Sequence, residues 1–327
     1  MAVSHSLPAP VDVIAPRALS RAFARPPRTY LREVVSRLRR NRTAMVGVGF
    51  ISVLIAMAIA TPWIAPYDYS VGSLRDANLL PSAAHWLGTD ALGRDEMTRL
   101  MWGARVSLTV AIGAQIIVIL IGVTLGLISG FFGGWLDYVV MRIVDALYSL
   151  PSLLVAILVM SFLRGVLSLS IESNVAGIAR LNTASGGLLG VFIVLFVTHW
   201  LTVCRLVRAQ ILSIKEREFV LAARAVGAGR PRLMRVHLLP HVLAPVLVAI
   251  TFGIPGSISL EASLGFLGIG VTPPMPSWGT MIAESLAAMR TYPLLLLCPG
   301  VALSLTLLSF IYVGDALRDA LDPLMKR

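Results

Sequence analysis

Residues 216–241 read EREFVLAARAVGAGRPRLMRVHLLPH, a charged, helix-prone stretch with a Gly-x-Gly break. A run free of Asp, Glu, Lys and Arg stands on either side, Leu181 to Cys204 before it and Val242 to Leu260 after it. Four more such runs extend from Thr43 to Tyr67, Val106 to Leu136, Ala146 to Leu163 and Thr291 to Gly314. About 20 apolar residues, each rising about 1.5 Å, span the roughly 30 Å hydrocarbon core of a bilayer, so each run is long enough to cross. Backbone N–H and C=O groups find no water at that depth and must bond within the segment, which makes the runs helices. The quoted stretch is therefore a hydrophilic elbow between two spans of an all-α polytopic membrane protein with six transmembrane helices.

Composition agrees. The chain of 327 residues is 57% hydrophobic and 14% charged, with a mean hydropathy of +0.81, which excludes a water-soluble globule. The net charge of +11 is distributed by topology. Of 28 Lys and Arg, nine precede the first span and eight lie between Arg205 and Arg235. Arg142 and the three after Gly314 bring that side to 21, against seven on the other. By the positive-inside rule the rich side is cytoplasmic, so both termini are inside and the number of spans is even. A nucleic-acid patch is the weaker reading of these arginines, because no soluble domain presents it. The first 43 residues hold no apolar core, so the first span serves as an uncleaved anchor. Cys204 and Cys298 sit within or at the edge of spans, which speaks against a disulfide framework or a zinc site.

Along the chain, Leu31, Val34, Val35 and Leu38 fall at helical spacing, with Arg32, Arg37, Arg39 and Arg40 opposite. This is the pattern of a helix lying in the headgroup plane, over about 29–41; a basic tail that only sets orientation is the other reading. The segment HWLGTDALGRDEMTRLMWGAR (85–105) carries acids whose spacing does not fit a calcium loop. Thr89 or Asp90 is expected to cap a short helix, with a turn at Gly93. Gly122, Gly126 and Gly130 recur every four residues and make a smooth face for close helix packing. Gly253, Pro255 and Gly256 predict a kinked or interrupted fifth span, either on a substrate path or for packing alone. On that path we place Gly253, Ser257, Glu261 and His199. Glu261 is the one acid deep in this half of the chain, facing a polar cavity or partner, or else solvated at the outer interface.

Within the quoted stretch, Phe219, Ala222, Ala223 and Val226 share one helical face, with Glu216, Arg217 and Arg224 elsewhere. Gly227 and Gly229 end that helix, and Pro231 starts a second one at its N1 position. The small side chains let a partner approach, and the charges around them fix its register. No energy source is present in the chain itself. A P-loop needs lysine after glycine, whereas Lys215 and Lys326 follow Ile214 and Met325.

The stretch resembles the "EAA" motif of inner-membrane permease subunits of binding-protein-dependent ABC importers: Glu-Ala-Ala, three residues, Gly, nine residues, Ile-x-Leu-Pro. Ala222, Ala223, Gly227, Leu239 and Pro240 match at those intervals. Leu221 stands where the motif has Glu, and His237 where it has Ile; Glu216 or Glu218 is left to supply the missing acid. The resemblance covers about residues 30–323. It includes LGTDALGRD (87–95), GARVSL (103–108), YSLPSLL (148–154), EASLGFLGIGVTPPMPSWGTMI (261–282) and GDALRDALDP (314–323), all similar to the second permease subunit of dipeptide, oligopeptide and nickel importers.

The resemblance implies a type I ABC importer permease fold in a bacterial cytoplasmic (inner) membrane. The boundaries expected are a basic tail over 1–43, a first span over 44–66 and an external segment over 67–104. A five-helix core follows over 105–315, with spans about 105–130, 138–163, 187–207, 241–262 and 292–314, and a tail over 316–327. A coupling loop over 208–240 carries Glu216, Arg217, Glu218, Phe219, Ala222, Ala223, Arg224, Gly227, Gly229, Arg230, Leu239 and Pro240. The chain is then a non-catalytic subunit that binds no cofactor or metal, with ATP and Mg on two cytoplasmic ATPase subunits or domains. Its other partners are a second homologous permease, an external solute-binding protein and membrane lipid, with no nucleic acid. Dipeptides or oligopeptides are the expected cargo, with nickel chelates, glutathione or haem as alternatives. An ion-coupled transporter or channel, or a membrane scaffold, is the rival class.

Overall fold

A computed structural model describes residues 30–169, 182 and 186–321 of the chain. The expected tail before residue 30, most of the loop expected over 164–187, and residues 322–327 lie outside the described residues. The described helices are α1 (Tyr30–Arg40), α2 (Arg42–Ile64), α3 (Glu96–Phe132), α4 (Gly134–Tyr148), α5 (Ser152–Leu169), α6 (Leu188–Ile214), α7 (Glu218–Ala225), α8 (Arg230–Phe266), α9 (Trp278–Ser285) and α10 (Pro293–Leu321). Among the described residues, α2, α3, α6, α8 and α10 are each long and apolar enough to cross a membrane, and the α4–α5 pair makes a sixth when taken as one bent span.

Helix ends follow local chemistry. The Asn41 side chain accepts the Ala44 N–H at 3.2 Å and starts α2. Asp95, rather than the expected Thr89 or Asp90, caps α3 by accepting the Thr98 N–H at 2.8 Å. Thr89 and Asp90 are used inside the preceding turns, where the Thr89 hydroxyl accepts the Leu79 N–H and Asp90 accepts those of Leu92 and Arg94. Gly93 turns with φ +73°, a conformation other residues rarely adopt. Ser277 and Thr280 satisfy each other's backbone groups at the start of α9.

Two expectations for the spans are corrected. The helix expected over 138–163 is two helices meeting at 92°. Pro151 explains the break: its ring disfavours helical backbone at Leu150, and it brings no N–H to continue the ladder. Of the kinked or interrupted forms expected for the span with Gly253 and Pro255, the interrupted one is not found, since Leu239–Phe266 is continuous with Pro245 and Pro255 inside it. It is held in shape by α3, α6, α9 and α10 packed around it, and the Ser257 hydroxyl donates to the Gly253 carbonyl at 3.1 Å. The irregular turns lie elsewhere, as π-turns at Ile119–Val123 in α3 and Leu233–Leu238 in α8.

In the packing, α3, α6, α8 and α10 form the centre, α2 lies on α10 and α3, and α5 lies on α6. The glycine face of α3 works as the spacing predicts. A Cβ on Gly126 would sit 2.6 Å from the Cys204 carbonyl oxygen, and one on Gly130 2.8 Å from Ile211 Cβ. At the α7 end, Val123 and Leu127 of α3, Val207 and Ile211 of α6, Val220 of α7 and Leu238 of α8 make one apolar cluster. Outward faces keep residues such as Val53, Leu120, Phe162 and Val301 exposed, as lipid-facing helices do. On α1, Val34 is buried while Val35 is 47% exposed, so only part of the expected apolar face turns inward, onto α10.

Candidate functional site

The elbow after α6 is built from its backbone outward. Arg217 is extended and precedes α7; Val226 and Gly227 close it. The Gly227 N–H bonds the Arg224 carbonyl at 2.9 Å and the Ala228 N–H bonds that of Ala223 at 3.0 Å, with Gly227 at φ +88°. This double closure needs a left-handed residue at its corner, which is why glycine stands there. Gly229 is extended and hands the chain to Arg230 and Pro231, which open α8.

Side chains of the elbow divide into an anchor and an open face. Val220 is fully buried in the cluster beneath, and Ala223 and Ala228 pack against it. Glu216, Arg217, Glu218, Ala222, Arg224, Gly227, Gly229, Arg230 and Pro240 are exposed, and Leu239 is half-buried. Phe219 is 38% exposed, its ring 4.9 Å from that of His241, and Val226 is 88% exposed. The face expected to group Ala223 with Phe219, Ala222 and Val226 is therefore split, with Ala223 turned toward the core. Sequence spacing did not single out Val220, although its place one residue ahead of Leu221 and three before Ala223 puts it on the inward side.

A second feature lies between the helices. A cavity of about 560 Å³ is walled by α3, the α4–α5 bend, α6 and α8. His199 and Gly253, two of the expected pathway residues, line it. The His199 Nδ1 lies 2.9 Å from the Thr198 hydroxyl. Gln115 of α3, which no motif indicated beyond being a lone amide in an apolar run, lines it too. Its Nε2 donates to the Ser257 hydroxyl at 2.9 Å, and Gly253 leaves room for the amide, since a Cβ there would fall 2.5 Å from Oε1. Ser257 is thus one turn behind the wall. Glu261 is a further turn away, fully buried and outside the cavity lining; Oε2 accepts from the Ser107 hydroxyl at 2.9 Å, and Oε1 has no hydrogen-bond partner among the described residues. The solvated reading of Glu261 is excluded.

Two ionic arrangements escaped the sequence because their partners are far apart in it. Asp90 and Glu284 bind Arg94 and Arg99 in a network at the α9 end, with Arg94 to Glu284 at 2.9 Å and Arg99 to Glu284 at 2.8 Å. Near α7, Arg208 of α6 grips Asp137 of α4, its Nε donating to Oδ1 at 2.5 Å and its Nη2 to Oδ2 at 2.6 Å. Arg205 pairs with Asp145 at 2.6 Å and lies 4.3 Å from the ring centre of Tyr148, a cavity residue. Among the described residues no group of His, Cys, Asp and Glu is arranged to hold a metal ion.

Residues 122–327 match the family described as binding-protein-dependent transport system inner membrane component, and residues 29–81 match the N-terminal TM domain of oligopeptide transport permease C. The oligopeptide transport system permease protein OppC of Bacillus subtilis is 40% identical over 296 residues, 90% of each chain. The dipeptide transport system permease protein DppC of the same organism is 38% identical, over 93% of this chain and 88% of its own. The glutathione transport system permease protein GsiD of Pectobacterium atrosepticum is 35% identical, over 91% and 93%. A chain of the MetNI methionine ABC transporter in inward-facing conformations aligns at a TM-score of 0.53 and 21% identity, over 69% of this chain and 97% of that one, and shares the fold. With its helical architecture and the matches along both halves, the chain belongs to the inner membrane components of binding-protein-dependent transport systems.

Proposed function

We propose that this chain is the second permease subunit of an ATP-driven importer of dipeptides and oligopeptides. It forms half of the pathway, beside a second, homologous permease; two ATPase subunits hold ATP and Mg, and an external binding protein delivers cargo. The observation that carries the reading is the match to oligopeptide and dipeptide permeases along about nine-tenths of both chains. Glutathione, itself a tripeptide, is the second reading, favoured by the GsiD relative.

The elbow supports a lever role. Val220 pins α7 into the core while Ala222, Arg224, Val226 and Gly227 face outward. Docked in an ATPase groove on the cytoplasmic side, α7 carries rigid-body motion into α6 and α8, which it joins. Those two helices supply Thr198, His199, Ala249 and Gly253 to the cavity wall. Exposed Glu216 and Glu218 are the acids available in place of the Leu221 position.

Reconstitution of the whole assembly, both permeases with both ATPase subunits and the binding protein, in proteoliposomes tests this. ATP-dependent uptake of dialanine and trialanine is expected, and its loss when the ATPase catalytic glutamate is changed to glutamine. Uptake that persists with the inactive ATPase sinks the importer reading. Uptake of glutathione without alanine peptides selects the second.

A further inference from the structure

Arg105 stands inside the spanning helix α3, about three turns past the Asp95 cap, and no acid pairs with it among the described residues. Its guanidinium lies 5.2 Å from the Trp102 ring centre, and its Nη1 has no hydrogen-bond partner among the described residues. Neighbouring residues fix its depth. The Thr61 hydroxyl lies 3.5 Å from the Met101 carbonyl oxygen, so Met101 is level with the last turn of α2, where Trp63 is 80% exposed. Trp102 meets Tyr69 there, with 4.8 Å between ring centres. Aromatic rings gathered at one level mark the membrane boundary, which puts Arg105 about one turn inside it, in the leaflet away from α7.

The helix face below Arg105 is unpacked within the chain. Thr109, Ile112, Ile116 and Leu120 follow it at helical spacing and all are exposed, Ile116 at 54% and Leu120 at 64%. Thr109 differs from other threonines of the spans. The hydroxyls of Thr61, Thr124, Thr198, Thr251 and Thr306 each donate to the carbonyl four residues earlier, whereas that of Thr109 makes no hydrogen bond among the described residues. Going deeper from Arg105, the face therefore offers a cation, then a free hydroxyl one turn or about 5.4 Å below, then an aliphatic stripe.

A guanidinium at the edge of the hydrocarbon is costly without an anion, and its long stem lets it reach back toward the headgroups. A phospholipid presents its groups along the bilayer normal in the order that the face does: phosphate, ester carbonyl, acyl chain. An acid on a neighbouring protein helix would answer Arg105 alone and gives the free Thr109 hydroxyl no partner. We propose that this face of α3 is a phospholipid site. Arg105 binds the phosphate diester, whose oxygens suit the N–H fork of arginine; Thr109 donates to an acyl ester carbonyl, and one acyl chain lies along Ile112, Ile116 and Leu120. In the expected orientation the lipid belongs to the outer leaflet. The site prefers a lipid with a phosphate over a sugar-headed lipid that has the same esters and chains.

The test uses the assembled transporter in dodecyl maltoside and dioleoylphosphatidylglycerol carrying a diazirine in one acyl chain. Labelling is expected within residues 109–120. Unlabelled dioleoylphosphatidylglycerol should displace it at a concentration at least tenfold lower than diglucosyl dioleoylglycerol, which lacks the phosphate. In R105Q the label there should fall at least fivefold and in T109V at least twofold, while R105K should keep more than half of it. L158A, on the exposed face of α5, should behave as wild type. Equal displacement by the sugar-headed lipid, labelling confined to other segments, or undiminished labelling in R105Q would each overturn the site; undiminished labelling in T109V overturns the ester contact. I112C carrying a benzophenone should capture lipid, and capture of another protein subunit instead shows that a protein covers the face and ends the proposal. If R105Q fails to assemble, the wild-type competition alone decides.

Discussion

Gly227 and Glu261 show how differently single residues carry weight. Nothing lies within 4 Å of a Cβ built on Gly227, so its cost on substitution is conformational: φ +88° is a left-handed position. A side chain there loses about 1 to 2 kcal/mol in the helix-ending turn and also stands in the way of any docked partner. For Gly227→Val we expect loss of uptake and of substrate-stimulated ATP hydrolysis with membrane insertion unchanged; normal uptake in proteoliposomes would count against the lever. Glu261 is the reverse case, a buried group with one oxygen paired to Ser107. Glu261→Gln keeps the shape and an acceptor and should change thermal stability little. Glu261→Ala leaves the Ser107 hydroxyl unpaired beside a void and should cost about 1 to 3 kcal/mol, read as a lower melting temperature of the purified assembly.

Among the elements, α4 and α6 are held by two ion pairs, one of which also covers a residue of the cavity wall. Arg208 grips Asp137 bidentately, and Arg205 joins Asp145 while covering the Tyr148 ring. Because α6 ends at the elbow, the lever proposal makes these pairs the expected route by which its movement reaches the α4–α5 bend. Asp137→Arg should uncouple ATP hydrolysis from uptake, and Asp137→Arg combined with Arg208→Asp should restore a large part of it. No recovery in the exchanged pair would show that the contact does not transmit motion. Elsewhere α3 and α6 meet across glycine. Gly126→Leu forces side-chain atoms against the Cys204 carbonyl and Val207, and should cost more than about 3 kcal/mol or prevent accumulation in the membrane, measured by immunoblot.

At the level of the whole molecule, α7 and the network of Asp90, Arg94, Arg99 and Glu284 lie toward opposite ends of the spanning helices α3 and α8: α3 starts at the network and ends near α7, and α8 runs back. By the positive-inside rule the arginine count makes the α7 end the expected cytoplasmic end. Cysteine at Arg224 should react with a membrane-impermeant maleimide only after the membrane is opened from inside-facing solvent, and cysteine at Leu80, 68% exposed, should react in intact cells. Labelling of the Arg224 position in intact cells would reverse the orientation and end the lever proposal.

What the sequence determined by itself is what depends on local composition and spacing. Charge-free length gave spans, arginine asymmetry gave an expected orientation, and Ala222, Ala223, Gly227 and Pro240 marked the elbow. The glycine stripe at 122, 126 and 130 was legible because a four-residue repeat fixes one helix face whatever packs against it. Tertiary structure decided what depends on partners distant along the chain. Pro151 broke a span because nothing re-formed its ladder across the turn, whereas Pro255 left α8 whole because four helices pack around it. Likewise Gln115 and Ser257, or Arg99 and Glu284, are unremarkable alone and meet only when folding brings their helices within about 3 Å, where a buried polar group must find a partner.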